Sequence, residues 1–293
     1  MHWMPFLSEN VNLQIPPQYS ENMRGIFDEG DTYEGPRMIE GDVEAEAQII
    51  PLGAMLKAMM TESVVTSDSL YTRTFKPRVD SDWGEKSANQ PVTLYKHLDT
   101  GSAFLEYDLN LATLEIGIAQ SELLRFTGSF VGGNFSQTAA VAASLPTDDV
   151  IPWNVTSMSI GASAIDNAMD MTLTIDDGAI EAQHTLNNSK YPSRVKRTGF
   201  RTIAVDITLK FDNQDQYQKF LSQTEQNMKV HFAGTTEVQS GYNESLTIEL
   251  PAMRYEEVGP AAEGPGQIET TFTARGKYHV GSGTGLEITH VSG

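Results

Sequence analysis

MIEGDVEAEAQIIPLGAMLKAMM, residues 38–60, decides how the rest of the chain is read. Its first part alternates, with Glu40, Asp42, Glu44 and Glu46 each two residues apart. In a strand those four carboxylates share one face and the residues between them share the other. Pro51 then opens a short run of apolar, helix-forming residues, with proline at a position a helix start tolerates. Like charges along one strand face repel, so a free chain gains nothing from this arrangement. A solvated edge face would explain it without function; a face serving an assembly would explain it with one.

The strand-and-turn character continues in both directions. LYTRTF (70–75), PVTLYKHL (91–98), SAFLEYDLNLATLEIGI (102–118) and ELLRFTGSF (122–130) read as strands from alternation and β-branched or aromatic content. WNVTSMSIGA (153–162), MDMTLTIDD (169–177) and FRTIAVDITLKF (200–211) follow. NQDQYQKFLSQTEQN (213–227) reads as a helix, with Asn213 or Asp215 as cap and Tyr217, Phe220 and Leu221 as its apolar stripe. KVHFAG, SLTIELPAMRYEEV and IETTFTARGKYHV (268–280) return to strand, the last two separated by GPAAEGPG.

This divides the chain into an extended arm at 1–37, a first half at 38–135, a small and polar linker at 136–149, a second half at 150–280 and a tail at 281–293. In the arm, Trp3, Phe6, Leu7 and Phe27 are candidate anchors against a neighbouring subunit. The halves share an order of elements. Their helices begin near 51 and 213, 162 residues apart, and their closing strands begin at Phe126 and Phe272, 146 apart. A tandem duplication and a single fold with long insertions both account for the length.

Composition narrows the function. The 293 residues carry 39 acidic and 20 basic side chains, a net charge of −19. Gripping nucleic acid needs Lys and Arg on phosphates, so this balance argues against a tight binder, though not against working beside DNA. With no cysteine in the chain, thiol catalysis, disulfide scaffolds and Cys-based zinc sites drop out. MHWMPFLSEN lacks the basic and apolar regions of a signal peptide, and no run approaches the length of a membrane span. Catalytic motifs fail one by one. ARGKYH (274–279) lacks the upstream glycine and the Ser/Thr of a phosphate loop. GSGTG (281–285) has no helix after it, and GASAI (161–165) misses the nucleophile-elbow pattern at its last position. The six histidines are scattered. We therefore expect no catalytic residue, no metal and no cofactor. What stands out is a basic cluster in an acidic chain: Lys190, Arg194, Lys196, Arg197 and Arg201 within KYPSRVKRTGFR. It reads either as a solvated loop or as a docking surface for acidic residues of another subunit.

VTSMSIGASAIDNAMD (155–170), followed by VKRTGFRTIAVDITLKFDNQDQYQKFL (195–221), resembles the major tail tube proteins of long-tailed bacteriophages. Arg197, Thr198, Gly199 and the strand Phe200–Phe211 carry the likeness, with the Asp166-Asn167 turn before them. SLTIELPAMRYEEVGPAAEGPGQIETTFTARG (245–276) is similar to that family's closing hairpin, and FTGSFVGG and PLGAMLKAMM have counterparts in its larger members. The turn reads DNAMD rather than a doubled Asn, and the arm is long. The resemblance implies a mainly β fold, a β-sandwich that contributes to a barrel and carries a flanking α-helix. It implies no enzyme. It implies self-association into stacked rings, either hexameric or trimeric with two tube folds per chain, with other tail proteins at the tube ends. DNA passes through such a tube without specific binding; the tube belongs to the virion tail and is assembled in the host cytoplasm. On that reading Glu40, Asp42, Glu44 and Glu46 line the lumen and the basic cluster contacts the adjacent ring. Two other readings compete: a secreted tube protein of a contractile injection system, whose members are about half this length, and an acidic β-sandwich carbohydrate-active module. The second needs aromatic platforms, and three tryptophans, one of them in the arm, make a poor set.

Overall fold

A computed structural model describes residues 3–21, 28, 31–67, 70–78, 91–97, 101–161, 163–187, 189–211, 214–261 and 268–292. The arm holds β1 (Ser8–Glu9), β2 (Asn12–Gln14), β3 (Gln18–Tyr19) and β4 (Thr32–Tyr33). The first half runs β5 (Met38–Glu46), α1 (Ile49–Met59), β6 (Met60–Ser67), β7 (Leu70–Pro77), β8 (Val92–His97), β9 (Ser102–Ala119) and β10 (Arg125–Ala139). After a short 3-10 turn come β11 (Thr156–Ile160), β12 (Ser163–Ile165), β13 (Ala168–Asp176), β14 (Ile180–Gln183), β15 (Arg194–Arg197) and β16 (Thr202–Lys210). α2 (Asp215–Leu221), β17 (Gln226–Gln239), β18 (Tyr242–Ala261), β19 (Glu269–Gly276) and β20 (Glu287–Ser292) complete the chain. The fold is mainly β, as the alternating segments require.

One antiparallel sheet follows the path β1-β5-β10-β9-β13-β16-β19-β18-β17-β11-β12. β18 is long enough to serve two layers. Its second part pairs with β19, while its first part lies between β17 and β20. β20 in turn pairs with β7, and β7 with β6, which extends the second layer. α1 touches β9 of the first layer and β20, β18 and β7 of the second. Its buried Leu52, Leu56 and Met59 join a single hydrophobic cluster with Val43, Phe126, Ile116, Leu173, Ile207, Phe232, Ile248 and Ile288. Burying each such side chain is worth about 1.5–3 kcal/mol, and the alternation of the long central strands directs their apolar sets to this one interior.

Several expectations need correction. The helix expected over 213–227 stops at Leu221, because Gln226 onward is drawn into β17 against β18. Its N-cap is Gln214, without a side-chain cap, and Asn213 lies outside the described residues. Its stripe is also displaced: Leu221 is exposed, Phe220 only half-buried, and Gln216 is the residue that goes inside, accepting a 2.9 Å hydrogen bond from the Tyr255 hydroxyl. β6 went unrecognised, since MTESVVTS carries no alternation of burial. β10 runs on to Ala139, where it pairs with Ser102, inside the segment read as linker. The tail is structural too. β20 sits between β18 and β7 with Ile288 and His290 buried.

Part of the arm lies on the chain's own sheet. Ser8 and Glu9 pair with Glu44 and Val43, and Asn12–Gln14 with Met38–Glu40. Gly41 makes room for the crossing: its φ is +148°, and a Cβ there would stand 2.4 Å from the Asn10 carbonyl oxygen.

Candidate functional site

Six neighbouring strands, β5, β10, β9, β13, β16 and β19, bury one face and leave the other to solvent. On β5, Ile39, Val43 and Ala45 are buried while Glu40, Asp42, Glu44 and Glu46 take the open side. The same alternation puts Glu115 of β9, Asp170 and Asp176 of β13, Asp206 of β16 and Glu269 of β19 on that side. Register lines them up in rows. Thr127 of β10 stands opposite both Glu44 and Glu115, and Glu115 stands opposite Thr174. One row further on, Asp206 stands opposite Thr172 and Thr273. Between the carboxylates the face is mostly Thr, Ser, Gly and Ala, with Arg125, Lys210 and Arg275 as its basic members.

Some of these carboxylates are tethered. Thr273 donates a 2.6 Å hydrogen bond to Asp206, Ser8 donates to Glu44 at 3.3 Å, and Arg125 approaches Glu44 at 3.7 Å. The face is therefore acidic, shallow and made of short side chains on a continuous hydrogen-bonded scaffold. Among the described residues, its hollows are shallow and lined mostly by short polar and acidic side chains. It can repel a polyanion; it offers little to grip one. The sequence shows the β5 row but does not single out Glu115 and Asp206, which stand singly on this face of their strands, or Asp170, which lies six residues from its companion Asp176. Only the strand order gathers them. Their one signal in the sequence is that each occupies a polar position in an alternating run.

The basic cluster is largely committed within the chain. Arg194–Arg197 form β15, paired with β14. Asp177 is fully buried, and both Arg197 and Arg201 bond its Oδ1, Arg201 at 2.7 Å. Gly178, at φ +83° and bonded to Asp176 Oδ1 at 2.8 Å, supplies the turn after β13, and the carboxylate between them, Asp177, becomes the anchor. Lys190 pairs with Glu34 of the arm, as does Arg37 at 2.7 Å. The Lys190 and Arg37 bonds hold the Glu34 carboxyl below its ordinary range. Arg194 Nε donates to Gln183 at 3.0 Å, while Lys196 makes no ion pair among the described residues. The cluster thus splits into residues held within the chain, Arg197 and Arg201 clamped on Asp177 and Lys190 on Glu34, and an outer pair, Arg194 and Lys196.

The arm residues divide in the same way. Trp3 meets Tyr95 of β8 edge-on with ring centroids 5.5 Å apart, whereas Phe6 and Leu7 stay 61% and 49% exposed. Phe27 lies outside the described residues. Lys96 fixes this part of the arm from below. Its ammonium bonds Glu9 at 3.1 Å, the Val11 carbonyl, and the buried Glu106 at 2.9 Å. Among the described residues no helix is long and apolar enough to cross a membrane.

Comparison with known proteins bears on the whole of this face. Residues 5–276 fit a family model described as phage tail tube protein. No curated protein matches the chain.

Proposed function

We propose, for a chain that belongs to the phage tail tube protein family, that its copies close side by side into rings and that the rings stack into a conduit for double-stranded DNA. Family membership supports the reading as a structural component of the virion tail. The observation that carries the rest is the acidic, short-chained outer face of the six-strand layer. With that face turned to the lumen, DNA meets carboxylates and hydroxyls in place of Lys and Arg. The magnitudes favour such a wall. A protein making 6–10 phosphate contacts binds strongly enough that affinity changes about 10³–10⁵-fold with modest salt. Repeated along many rings, even weak attraction would arrest the duplex. Repulsion reaching about 8 Å at physiological salt keeps it centred and sliding.

In this reading Glu40, Asp42, Glu44 and Glu46 line the lumen. Arg194 and Lys196, the members of the basic cluster outside the clamp, meet acidic surface on the adjacent ring. Phe6 and Leu7 meet a neighbouring subunit. Each chain fills two positions, so that three chains close a ring of six tube-fold halves.

The test is a variant in which Glu40, Asp42, Glu44 and Glu46 are all replaced by Lys. Exposed charges each cost little stability, so folding and tube formation should persist while DNA ejection is impaired. Normal ejection through tubes of this variant sinks the assignment of these residues to the lumen.

A further inference from the structure

The two ends of the first sheet layer are edges of different kinds, and the middle of the same layer holds a joint that matches them. Going outward from that middle, one side reads β9-β10-β5-β1 and the other β13-β16-β19-β18. The order of elements along the chain corresponds. β1 and β2, the β3–β4 hairpin, β5, α1, then β9 and β10 parallel β13, the β14–β15 hairpin, β16, α2, then β18 and β19. The β6–β7 hairpin has no counterpart in the second series.

Register makes the correspondence specific. Thr127 of β10 lies between Glu44 and Glu115; Thr273 of β19 lies between Asp206 and Glu257. From those outer carboxylates the chain reads EIGIA at 115–119 and EVGPA at 257–261. Three independently paired strands thus agree on one alignment, and the sequence echoes it where the structure places it.

In the first series the EIGIA segment is paired on both sides, with β10 and with β13. In the second, Glu257–Ala261 pairs with β19 on one side and with no strand on the other among the described residues. At the far end β1 pairs, among the described residues, with β5 alone. β1 is the element that corresponds to β13, since Ser8 stands against Glu44 as Thr172 stands against Asp206. We infer that the open edge of β18 in one copy of this chain takes β1 of the next copy, reproducing between molecules the β9–β13 joint made within one. Thr172 faces Gly117 and Thr174 faces Glu115, so Ser8 falls opposite Gly259 and Asn10 opposite Glu257. The joint is heterologous, and joints of that kind give a ring when the rotation between copies closes. Closure also removes two open sheet edges, each otherwise a template for uncontrolled pairing. This inference rests on the reading of the chain as a ring-forming tube subunit and adds the contact that makes the ring.

The chain has no cysteine, so a cross-link reports only the positions introduced. Directly opposed Cβ atoms in an antiparallel pair lie about 4.5–5.5 Å apart, close enough for a disulfide with slight adjustment. The experiment oxidises assembled Asn10→Cys/Glu257→Cys protein and runs it without reductant, beside each single variant and beside wild-type protein imaged by negative stain. The expected result is a ladder of covalent oligomers that ends at the ring size, collapses with reductant, and is missing from both single variants. Wild-type rings or tubes accompanied by an uncross-linked double variant that also assembles overturn the joint and leave the tube reading standing. Wild-type protein that stays monomeric under assembly conditions overturns the tube reading and this joint with it. Should only the double variant fail to assemble, the two single variants mixed in equal amounts are oxidised instead. Discrete covalent dimers then support the joint, and their absence from assembled mixtures rejects it.

Discussion

Glu244 is a buried carboxyl facing two others across the start of the second half. Burial, and then the charges of Asp148 and Asp149, push its pKa from 4.5 up to about 7. Asp148 itself is occupied, accepting the Ile50 amide at 2.9 Å at the start of α1. The sign of the linkage follows. Between about pH 4.5 and pH 7 the folded chain holds a proton that the unfolded chain has released, so stability falls as pH rises through this window. Above pH 7 the penalty is complete. Glu244→Gln should therefore melt higher than wild type at pH 8, by about 3 °C for each kcal/mol regained, and the gap should close near pH 4. Thermal melts across that range check it; a gap independent of pH would show that the carboxyl charge is not the cause. Glu106 meets the same problem with a cationic neighbour, and its pKa is still raised. Burial raises its pKa, but Lys96 beside it favours the charged form.

At the scale of elements, β15 carries two kinds of arginine that the sequence presents as one cluster. Arg197 reaches back to buried Asp177, whereas Arg194 and Lys196 do not. Removing one partner of a buried pair leaves the other charge uncompensated, which costs about 3–5 kcal/mol. Arg197→Glu should accordingly lower the melting temperature of the free subunit. Arg194→Glu with Lys196→Glu should leave it within about 0.5 kcal/mol of wild type and instead shorten tubes in a way that depends on ionic strength. Calorimetry on subunits and length distributions of tubes separate the two. Equal loss of subunit stability from both variants would put all three residues in one internal network.

The whole molecule joins two similar strand orders through the β9–β13 pairing, and this gives a prediction about symmetry. Three chains per ring, each filling two positions, should appear end-on as a threefold ring with six similar lobes. Class averages of rings viewed down the axis decide it. A ring of six identical chains would mean that each molecule fills one position, and the correspondence of the halves would then be a matter of fold without consequence for assembly. The net charge of −19 belongs at this scale too. About a third of it lies on one face of one layer, where nine carboxylates stand against three basic residues and act as a field.

What the amino-acid sequence determined by itself was local. Alternation in MIEGDVEAEA gave the strand and its acidic face, Pro51 and the apolar run after it gave α1, and the long alternating runs gave β9, β16 and β18. These are short-range consequences of side-chain period and backbone preference, legible without knowing what lies opposite. Tertiary structure decided everything that depends on a partner distant in sequence. It shortened α2, because pairing with β18 outcompetes one more helical turn. It drew Glu287–Ser292 of the tail into the sheet as β20 and laid Ser8–Gln14 on β5 across Gly41. It split the basic cluster by burying Asp177 between two of its arginines. It also built the acidic face, since Glu44, Glu115 and Asp206 lie far apart along the chain and become neighbours only through strand register. The physical reason is common to all of these. A strand's period says which side chains share a face, but which strands share a sheet is settled by long-range hydrogen bonding and by the burial of one common core.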